Sequence, residues 1–318
     1  MTMRILIGYD GSESADAALD DLRRAGLPRD VQALIVSVSD ALVDPSSSIS
    51  DIAGSAVTSR RVTSTIELVR VQAARALEEA KEFAAKARDR VRSFYPDWQV
   101  RAVGLAGTPS IELINKADEW NADLVVVGSQ GRSALGRFVL GSVSKKVVTD
   151  SHHSVRVTRG TVKQSGDLPP KIMIGVDGSS EAEHAVRAVG RRVWPEGTAV
   201  RILAVDDGTS PTTIADISSA ADELIHGCNE GAAVAARRMV EWAENELRVI
   251  GLQVSVAIEK GDPHRVLIEE AQKWDASSIF VGGRKFSGAI ERFRLGSVST
   301  ALVTKAHCSV EVVRSATS

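Results

Sequence analysis

Short apolar runs alternate along the chain with longer stretches in which apolar residues recur every three or four positions. The runs are rich in Val, Ile and Leu, as in RILIG and LVVVG, and predict buried β-strands. The longest periodic stretch predicts an amphipathic helix that ends before Pro96. In the first half of the chain, the predicted strands fall near 4–9, 31–38, 98–104, 123–128 and 154–158. The predicted helices fall near 13–25, 63–94, 109–120 and 142–150.

This pattern occurs twice. The segment IGYDGSESADAAL of the first half returns as IGVDGSSEAEHAV in the second, and RFVLGSVSKKVV returns as RFRLGSVSTALV. Each copy is about 150 residues long, which is the size of one domain. We therefore expect a first domain over residues 1–160, a polar linker over 161–170 and a second domain over 171–318.

Strands alternate with helices in each copy, and this order predicts parallel pairing with right-handed crossovers. We expect an α/β fold in which each domain is a doubly wound, mostly parallel five-stranded sheet with helices on both faces. The last strand of each copy, near 154–158 and 308–313, is expected at a sheet edge. Pairing these two edges within one chain would cover both and make an internal pseudo-dimer.

Composition narrows the classes of function. The net charge of −2 provides no basic field for nucleic acid, so we expect no nucleic-acid partner. No run of about 18 apolar residues is present and the first residues do not resemble a signal peptide, so we expect no membrane association. Two cysteines, Cys228 and Cys308, are too few for a disulfide framework and favour the reducing cytoplasm. We expect Cys308 to be a buried small apolar residue.

Polar residues stand at the ends of the predicted strands, where doubly wound sheets bind their ligands. The first strand is followed by Asp10-Gly11-Ser12 and the second ends at Val38. Ser12 has the position of a helix N-cap, which explains it without a ligand. Asp10 is harder to explain, because a carboxylate at the end of a buried strand must be satisfied locally or face a ligand.

The fourth strand is followed by a glycine-rich stretch that nearly matches a phosphate loop, but Ser142 stands where the lysine of a P-loop would be. Three glycines permit close approach of a backbone: Gly128, Gly131 and Gly141. The last of them opens a helix whose free N–H groups attract anions, while Ser142 and Ser144 add hydroxyl donors and Arg132 adds a charged one. The alternative is a glycine-rich surface loop before a capped helix.

The spacing Gly128-x-x-Gly131, with nine residues before Gly141-Ser142, resembles the ATP-binding signature of the universal stress protein family. The resemblance extends to both copies and covers nearly the whole chain. It implies a cytoplasmic ATP-binding regulatory protein of the stress response, with adenine near Asp10 and Val38, ribose near Gly128 and a divalent ion such as Mg²⁺ bridging the phosphates. The residues implied to bind the nucleotide are Asp10, Gly11, Ser12, Val38, Gly128, Gly131, Arg132, Gly141, Ser142, Val143 and Ser144.

The second copy departs from this signature. It keeps Asp177-Gly178-Ser179 and Gly296-Ser297, and the segment 107–128 returns as 261–282. The second copy then gains one residue around Gly282-Gly283, so that counting back from Gly296 places Gly283 at the position of Gly128 and Phe286 at that of Gly131. An aromatic ring there would crowd a backbone that contacts phosphate. We therefore expect nucleotide to bind mainly in the first domain.

The sequence predicts no catalytic residues and no metal ligands, because it shows no general base aimed at a phosphate and no Ser-His-Asp set. Slow ATP hydrolysis or self-phosphorylation stays open, since phosphoryl transfer depends mainly on positioning and charge. The alternative function is a nucleotide-independent interaction module that acts through its pseudo-dimer surface. An adenylyl transferase is disfavoured because the histidine motifs of that group are absent. A regulatory protein partner and a homodimer of chains are compatible with the sequence, which identifies neither.

Overall fold

The computed structural model describes residues 2–40, 60–131, 140–159, 168–207, 236–283 and 295–315. The first half consists of β1 (Met3–Gly8), α1 (Glu13–Asp21), β2 (Val31–Ser39), α2 (Arg60–Phe94), β3 (Gln99–Ala106), α3 (Pro109–Trp120), β4 (Leu124–Gly128), α4 (Ser142–Asp150) and β5 (Ser154–Thr158). The second half consists of β6 (Lys171–Val176), α5 (Ser180–Gly190), β7 (Ala199–Asp206), α6 (236–249), β8 (Gln253–Lys260), α7 (Pro263–Trp274), β9 (Ser278–Gly282), α8 (Ser297–Lys305) and β10 (Ser309–Val313). The two halves have the same order of elements, as the repeat predicts.

The strands of the described residues form a single sheet in the order β3-β2-β1-β4-β5-β10-β9-β6-β7-β8. Neighbouring strands are parallel within each half. The two halves meet where β5 pairs antiparallel with β10, so neither of these strands is left as an open edge. The predicted fold is therefore confirmed: two doubly wound five-stranded sheets join through their last strands as an internal pseudo-dimer.

The order of the strands fixes where a ligand cleft can form. From β1 the chain winds outward through β2 to β3, and it then returns to β4 on the opposite side of β1. The winding of the first half therefore reverses between β1 and β4, and loops that leave these two strands diverge to opposite faces of the sheet. The same reversal occurs between β6 and β9 in the second half.

Aliphatic residues from the helices cover both faces of the sheet. On one face, residues of α3, α4, α7 and α8 belong to one apolar core that continues across the junction of the halves. On the other face the cores are separate, with α1 and α2 over the first half and α5 and α6 over the second. None of the helices in the described part of the chain combines the length and apolar character needed to cross a membrane.

The first helix is shorter than its sequence pattern predicts. The pattern predicts a helix over 13–25, but α1 ends at Asp21 and the chain tightens into a 3₁₀ turn. Gly26 then takes a positive φ of 63°, and a Cβ on it would lie 2.6 Å from Cε3 of Trp194. A tryptophan of the other half thus packs directly on the turn that follows the helix, and such a contact leaves no signal in local periodicity.

A buried group of charges lies at the junction of the halves. Arg156 of β5 donates from Nε to Asp21 Oδ2 at 2.6 Å and from Nη1 to Glu311 Oε2 of β10 at 3.3 Å. Arg192 donates to the other oxygen of Glu311, and both arginines lie against the ring of Phe280. Burial opposes the positive charge of Arg156, but the two carboxylates outweigh it and raise the pKa of the guanidinium. The two arginines and the two carboxylates give this group no net charge, which limits the free-energy cost of burying it.

Cys308 lies immediately before β10 and belongs to the continuous core. Burial raises the pKa of its thiol to about 12, so the thiolate is scarcely populated near neutral pH. We expect native Cys308 to resist iodoacetamide at pH 8 and to react fully in urea, as mass spectrometry of its peptide would measure. Rapid labelling of the folded protein would contradict the burial of this residue.

Candidate functional site

The loop after β1 is tightly organised. Asp10 Oδ1 accepts a hydrogen bond from the Ser12 N–H at 3.0 Å, and Ser12 Oγ accepts one from the Ala15 N–H at 3.1 Å. Ser12 therefore caps α1, which is the ligand-independent explanation of this residue. Asp10 uses Oδ1 within the loop, whereas its second carboxylate oxygen, Oδ2, lies beside Gly131.

Gly11 is required by the fold itself. Its φ is +77°, and a Cβ at this position would lie 2.7 Å from the Phe83 ring of α2. Both the backbone conformation and the neighbouring ring exclude a larger residue. The described contacts explain Gly11 without a ligand.

The loop after β4 is fastened to the first turn of α1. A Cβ on Gly128 would lie 2.8 Å from the carbonyl oxygen of Ser14, so only glycine lets the strand end approach this helix. The Gln130 N–H donates to Ser14 Oγ at 3.1 Å, and Ser12 Oγ donates to the Gln130 carbonyl at 3.5 Å. These contacts hold the two strand-end loops against one another at the point where the winding reverses.

Gly131 brings the second loop to Asp10. A Cβ on Gly131 would lie 3.1 Å from Asp10 Oδ2, the carboxylate oxygen that does not bind the Ser12 N–H. Once the chain neighbours are set aside, no other heavy atom of the described residues lies within 4 Å of that point. The space beside the glycine is therefore bounded by a carboxylate and by little else among the described residues.

The start of α4 has the character of an anion site. The Gly141 N–H donates to the Ser129 carbonyl at 2.7 Å, which anchors the helix start beside the β4 loop. Gly141 is the N-cap residue and has no side chain to cap the helix, and no other side chain in the described ranges is seen to cap it. The N–H groups of Ser142, Val143 and Ser144 therefore form an uncapped first turn at the positive end of the helix dipole. Backbone donors in this arrangement suit phosphate or carboxylate groups.

Ser144 differs from its predicted role. Its hydroxyl donates to the Gly128 carbonyl at 2.5 Å, and the residue is only 5% exposed. In the second half, Ser299 makes the same bond to the Gly282 carbonyl at 3.3 Å. The hydroxyl ties the helix to the end of the strand in both halves, so Ser144 offers an anion its backbone N–H rather than its side chain.

Val38 lies on the other side of β1 from this loop. The Tyr9 N–H donates to the Val36 carbonyl at 2.9 Å, which is the last backbone contact of β1 with β2. Alternate residues of a strand direct their peptide groups to the same side, so the N–H and carbonyl of Val38 point to the space beyond the end of β1. Two strand spacings, about 9–10 Å, separate β2 from β4. Of the predicted residues, Arg132 lies outside the described ranges.

A model of the family described as "Universal stress protein family" matches residues 1–159 and 170–314. The chain belongs to the universal stress protein family. A universal stress protein of Mycolicibacterium smegmatis is 27% identical over 314 residues, which are 98% of this chain and 96% of that protein. The universal stress protein YxiE of Bacillus subtilis is 30% identical over 159 residues, half of this chain and all of that protein. The present universal stress protein is thus a tandem of two family units.

Solved structures of the family share the tandem fold. A universal stress protein from Archaeoglobus fulgidus covers 98% of this chain, over 96% of its own length, with a TM-score of 0.59 and 20% identity. A putative universal stress protein from Pseudomonas aeruginosa covers 98% of this chain, over 93% of its own length, with a TM-score of 0.56 and 14% identity. At these identities the likeness shows the fold alone.

The structure decides between the two alignments of the halves of this universal stress protein. Counting back from Gly296 pairs Gly128 with Gly283, but Gly282 occupies the equivalent place: each ends its strand, and a Cβ on Gly282 would lie 2.5 Å from the Glu181 carbonyl oxygen. The extra residue of the second half therefore follows Gly283. It lies between there and Leu295, in a stretch that is mostly outside the described residues.

The alignment through Gly282 changes the counterpart of Gly131. Counted forward from Gly282 the counterpart is Lys285, and counted back from Gly296 it is Phe286. Both lie outside the described residues, but neither is a glycine. A weakened nucleotide site in the second half remains a prediction, and it no longer depends on the phenylalanine alone.

Two residues that organise the cleft were not predicted from the sequence. Ser14 Oγ accepts a hydrogen bond from the Gln130 N–H. The Thr158 carbonyl of β5 accepts one from the Ser129 N–H at 3.0 Å. Comparison of the two copies would not have found Ser14, because Glu181 replaces it in the second half. The contact through Thr158 is made by a backbone carbonyl, which leaves no signature in side-chain identity.

Proposed function

We propose that this universal stress protein binds ATP in its first half and acts as a nucleotide-dependent regulatory protein of the stress response, with little or slow hydrolysis. The observation that carries the proposal is the convergence of Asp10, Gly131 and the uncapped start of α4 at the point where the sheet reverses its winding. Three separate segments of the chain meet there, and a surface loop before a capped helix would not require that meeting.

The geometry supports one orientation of the nucleotide. The uncapped N–H groups of Ser142, Val143 and Ser144 suit the phosphates, since they supply donors and the positive end of a helix dipole without a P-loop lysine. The peptide groups of Val38 face the space beyond β1 and suit the edge of a flat base. The separation of roughly 9–10 Å between β2 and β4 leaves room for a ribose between these groups.

The cleft also fits a divalent ion that is held mainly by the phosphates of the nucleotide. Mg²⁺ takes oxygen ligands and is held mainly by the phosphates of its nucleotide, with one or two carboxylates from the protein. Asp10 Oδ2, the carboxylate oxygen that the described contacts place in the cleft, is expected near adenine and is not assigned to the ion. The phosphates themselves would hold the ion, which would neutralise their charge, and we expect ATP to bind more tightly with Mg²⁺ than without it.

Isothermal titration calorimetry of the whole chain with ATP and Mg²⁺ tests the proposal. We expect one nucleotide per chain, because the second half lacks a glycine at either possible counterpart of Gly131. A stoichiometry of two would refute the difference between the halves, and no binding would refute the nucleotide site. Mass spectrometry of the denatured purified protein provides an independent check, since a tightly held ATP would be released.

The alternative is a nucleotide-independent interaction module. The surface that would join two single-domain copies is already used within this chain, because β5 and β10 cover one another. A partner would therefore have to bind elsewhere. Retention of a protein partner by a chain that binds no ATP in calorimetry would favour this alternative.

A further inference from the structure

The helix that begins at the proposed nucleotide cleft ends against the other half of the molecule. Helix α4 closes with the Ser151 N–H bound to the Val147 carbonyl at 3.0 Å. Arg314, which follows β10 of the second half, donates from Nη2 to the Val148 carbonyl at 2.5 Å and from Nη1 to the His153 carbonyl at 2.9 Å. A side chain from the second half thus satisfies a carbonyl that the end of an α-helix leaves without an intrahelical partner.

The position of Arg314 is fixed at both ends. Its backbone N–H donates to Ser154 Oγ of β5 at 3.0 Å, and the residue is only 6% exposed. Burial lowers the pKa of its guanidinium to about 10, which keeps the group charged at neutral pH. A positive charge at this end of α4 also complements the negative end of the helix dipole.

The same contact occurs in the opposite direction. Arg159, the counterpart of Arg314 in the first half, donates from Nη2 to the Val303 carbonyl at 2.9 Å and to the Thr304 carbonyl at 2.6 Å, at the end of α8. Each half therefore extends one arginine across the junction to the end of the other half's helix. Because the contact occurs in both directions, it is a symmetric feature of the interface between the two halves.

Arg314 has a further contact within its own half. A Cβ on Gly283 would lie 3.0 Å from Arg314 Cγ, and the Gly283 N–H donates to the Val313 carbonyl at 2.8 Å. Gly283 opens the loop of the second half that corresponds to the phosphate loop of the first. The stem of Arg314 thus packs at the base of one loop while its guanidinium holds the helix that starts at the other.

We propose that Arg314 is a positioning residue for the nucleotide site of the first half, so that the second half supports a site to which it contributes no ligand. This inference rests on the proposed function. Helix α4 has nine residues, about two and a half turns, so its first and last turns are joined by a short run of main-chain hydrogen bonds. A displacement of its last turn therefore shifts the N–H groups of its first turn relative to Asp10 and Gly131.

The test compares two matched variants by calorimetry with ATP and Mg²⁺. Both Arg314→Ala and Arg159→Ala remove an arginine that binds two main-chain carbonyls across the junction, so we expect similar decreases of the thermal midpoint. Arg314→Ala should weaken ATP binding roughly fivefold to tenfold, and Arg159→Ala should leave it within about twofold. Equal weakening by both variants, or by neither, overturns the positioning role. Absence of ATP binding by the unaltered chain instead overturns the proposed function itself.

A measurement on the unaltered protein covers the case in which Arg314→Ala does not fold. Hydrogen exchange is followed with and without ATP in peptides from the start of α4, from 146–153 and from 309–315. If Arg314 transmits the position of the helix, ATP should slow exchange in all three, including the peptide that carries this arginine. Slower exchange confined to the start of α4 would overturn the inference.

Discussion

Replacing Gly131 by phenylalanine is expected to weaken ATP binding strongly while the chain stays folded. Among the described residues, a Cβ here meets a single atom, Asp10 Oδ2 at 3.1 Å, which belongs to the end of a side chain that can move. The ring would then occupy the space between the Asp10 loop and the start of α4. Overpacking typically costs about 1–3 kcal/mol, which corresponds to a roughly fivefold to 150-fold loss of affinity. Calorimetry measures the affinity and circular dichroism the fold.

Two further glycine variants separate the cleft from the fold. Gly131→Ala adds only a methyl group beside Asp10 and should weaken binding less than phenylalanine does. Gly128→Ala should lower the thermal midpoint, because its Cβ would lie 2.8 Å from the Ser14 carbonyl oxygen and a backbone atom cannot yield as a side chain does. Unchanged ATP affinity of a folded Gly131→Phe variant would show that the nucleotide does not lie in this cleft.

Replacing Glu311 by alanine should lower the free energy of unfolding by about 3–5 kcal/mol. Glu311 binds Arg156 with one carboxylate oxygen and Arg192 with the other, and its side chain is 1% exposed. Its removal leaves two buried guanidinium groups with Asp21 as the remaining carboxylate of the group. Urea unfolding measures the change as a shift of the midpoint at constant slope.

Two controls distinguish buried charge from ion pairing in general. Glu183→Ala removes an exposed pair with Arg187 on α5 and should cost at most about 0.5 kcal/mol. The double variant Arg192→Met/Glu311→Met removes a buried cation and anion together and should be more stable than Glu311→Ala, because no unbalanced charge remains. If Glu311→Ala costs no more than Glu183→Ala, these charges do not hold the halves together.

The fold was largely accessible from the sequence because its signals are local and are written twice. Apolar runs such as LVVVG predicted β4, and the Leu-, Ala- and Glu-rich run before Pro96 predicted most of α2. The pairing of β5 with β10 also followed, since two exposed edges within one chain favour covering one another, whereas its antiparallel direction came from the structure. The pattern predicted a helix over 13–25 but not that its last turn is a 3₁₀ turn, and the contact of Trp194 with the turn that follows left no local signal.

The candidate site was predictable in its residues but not in their contacts. Strand ends and glycine spacing drew attention to Asp10, Gly131 and the start of α4, which the structure brings together. The same signals could not separate Gly11 and Gly128, which the fold requires for steric reasons, from a glycine that opens space for a ligand. They also assigned the hydroxyl of Ser144 to a ligand, whereas it binds the Gly128 carbonyl.

The sequence by itself determined that this protein is a tandem of two α/β units whose strand ends carry an anion-binding pattern. Such properties follow from periodicity and spacing, which are read within a few tens of residues. Only the tertiary structure determined that Arg156 meets Glu311 and that Arg314 holds the helix of the opposite half. Those partners lie more than a hundred residues apart, and their contact exists only because the two sheets join edge to edge.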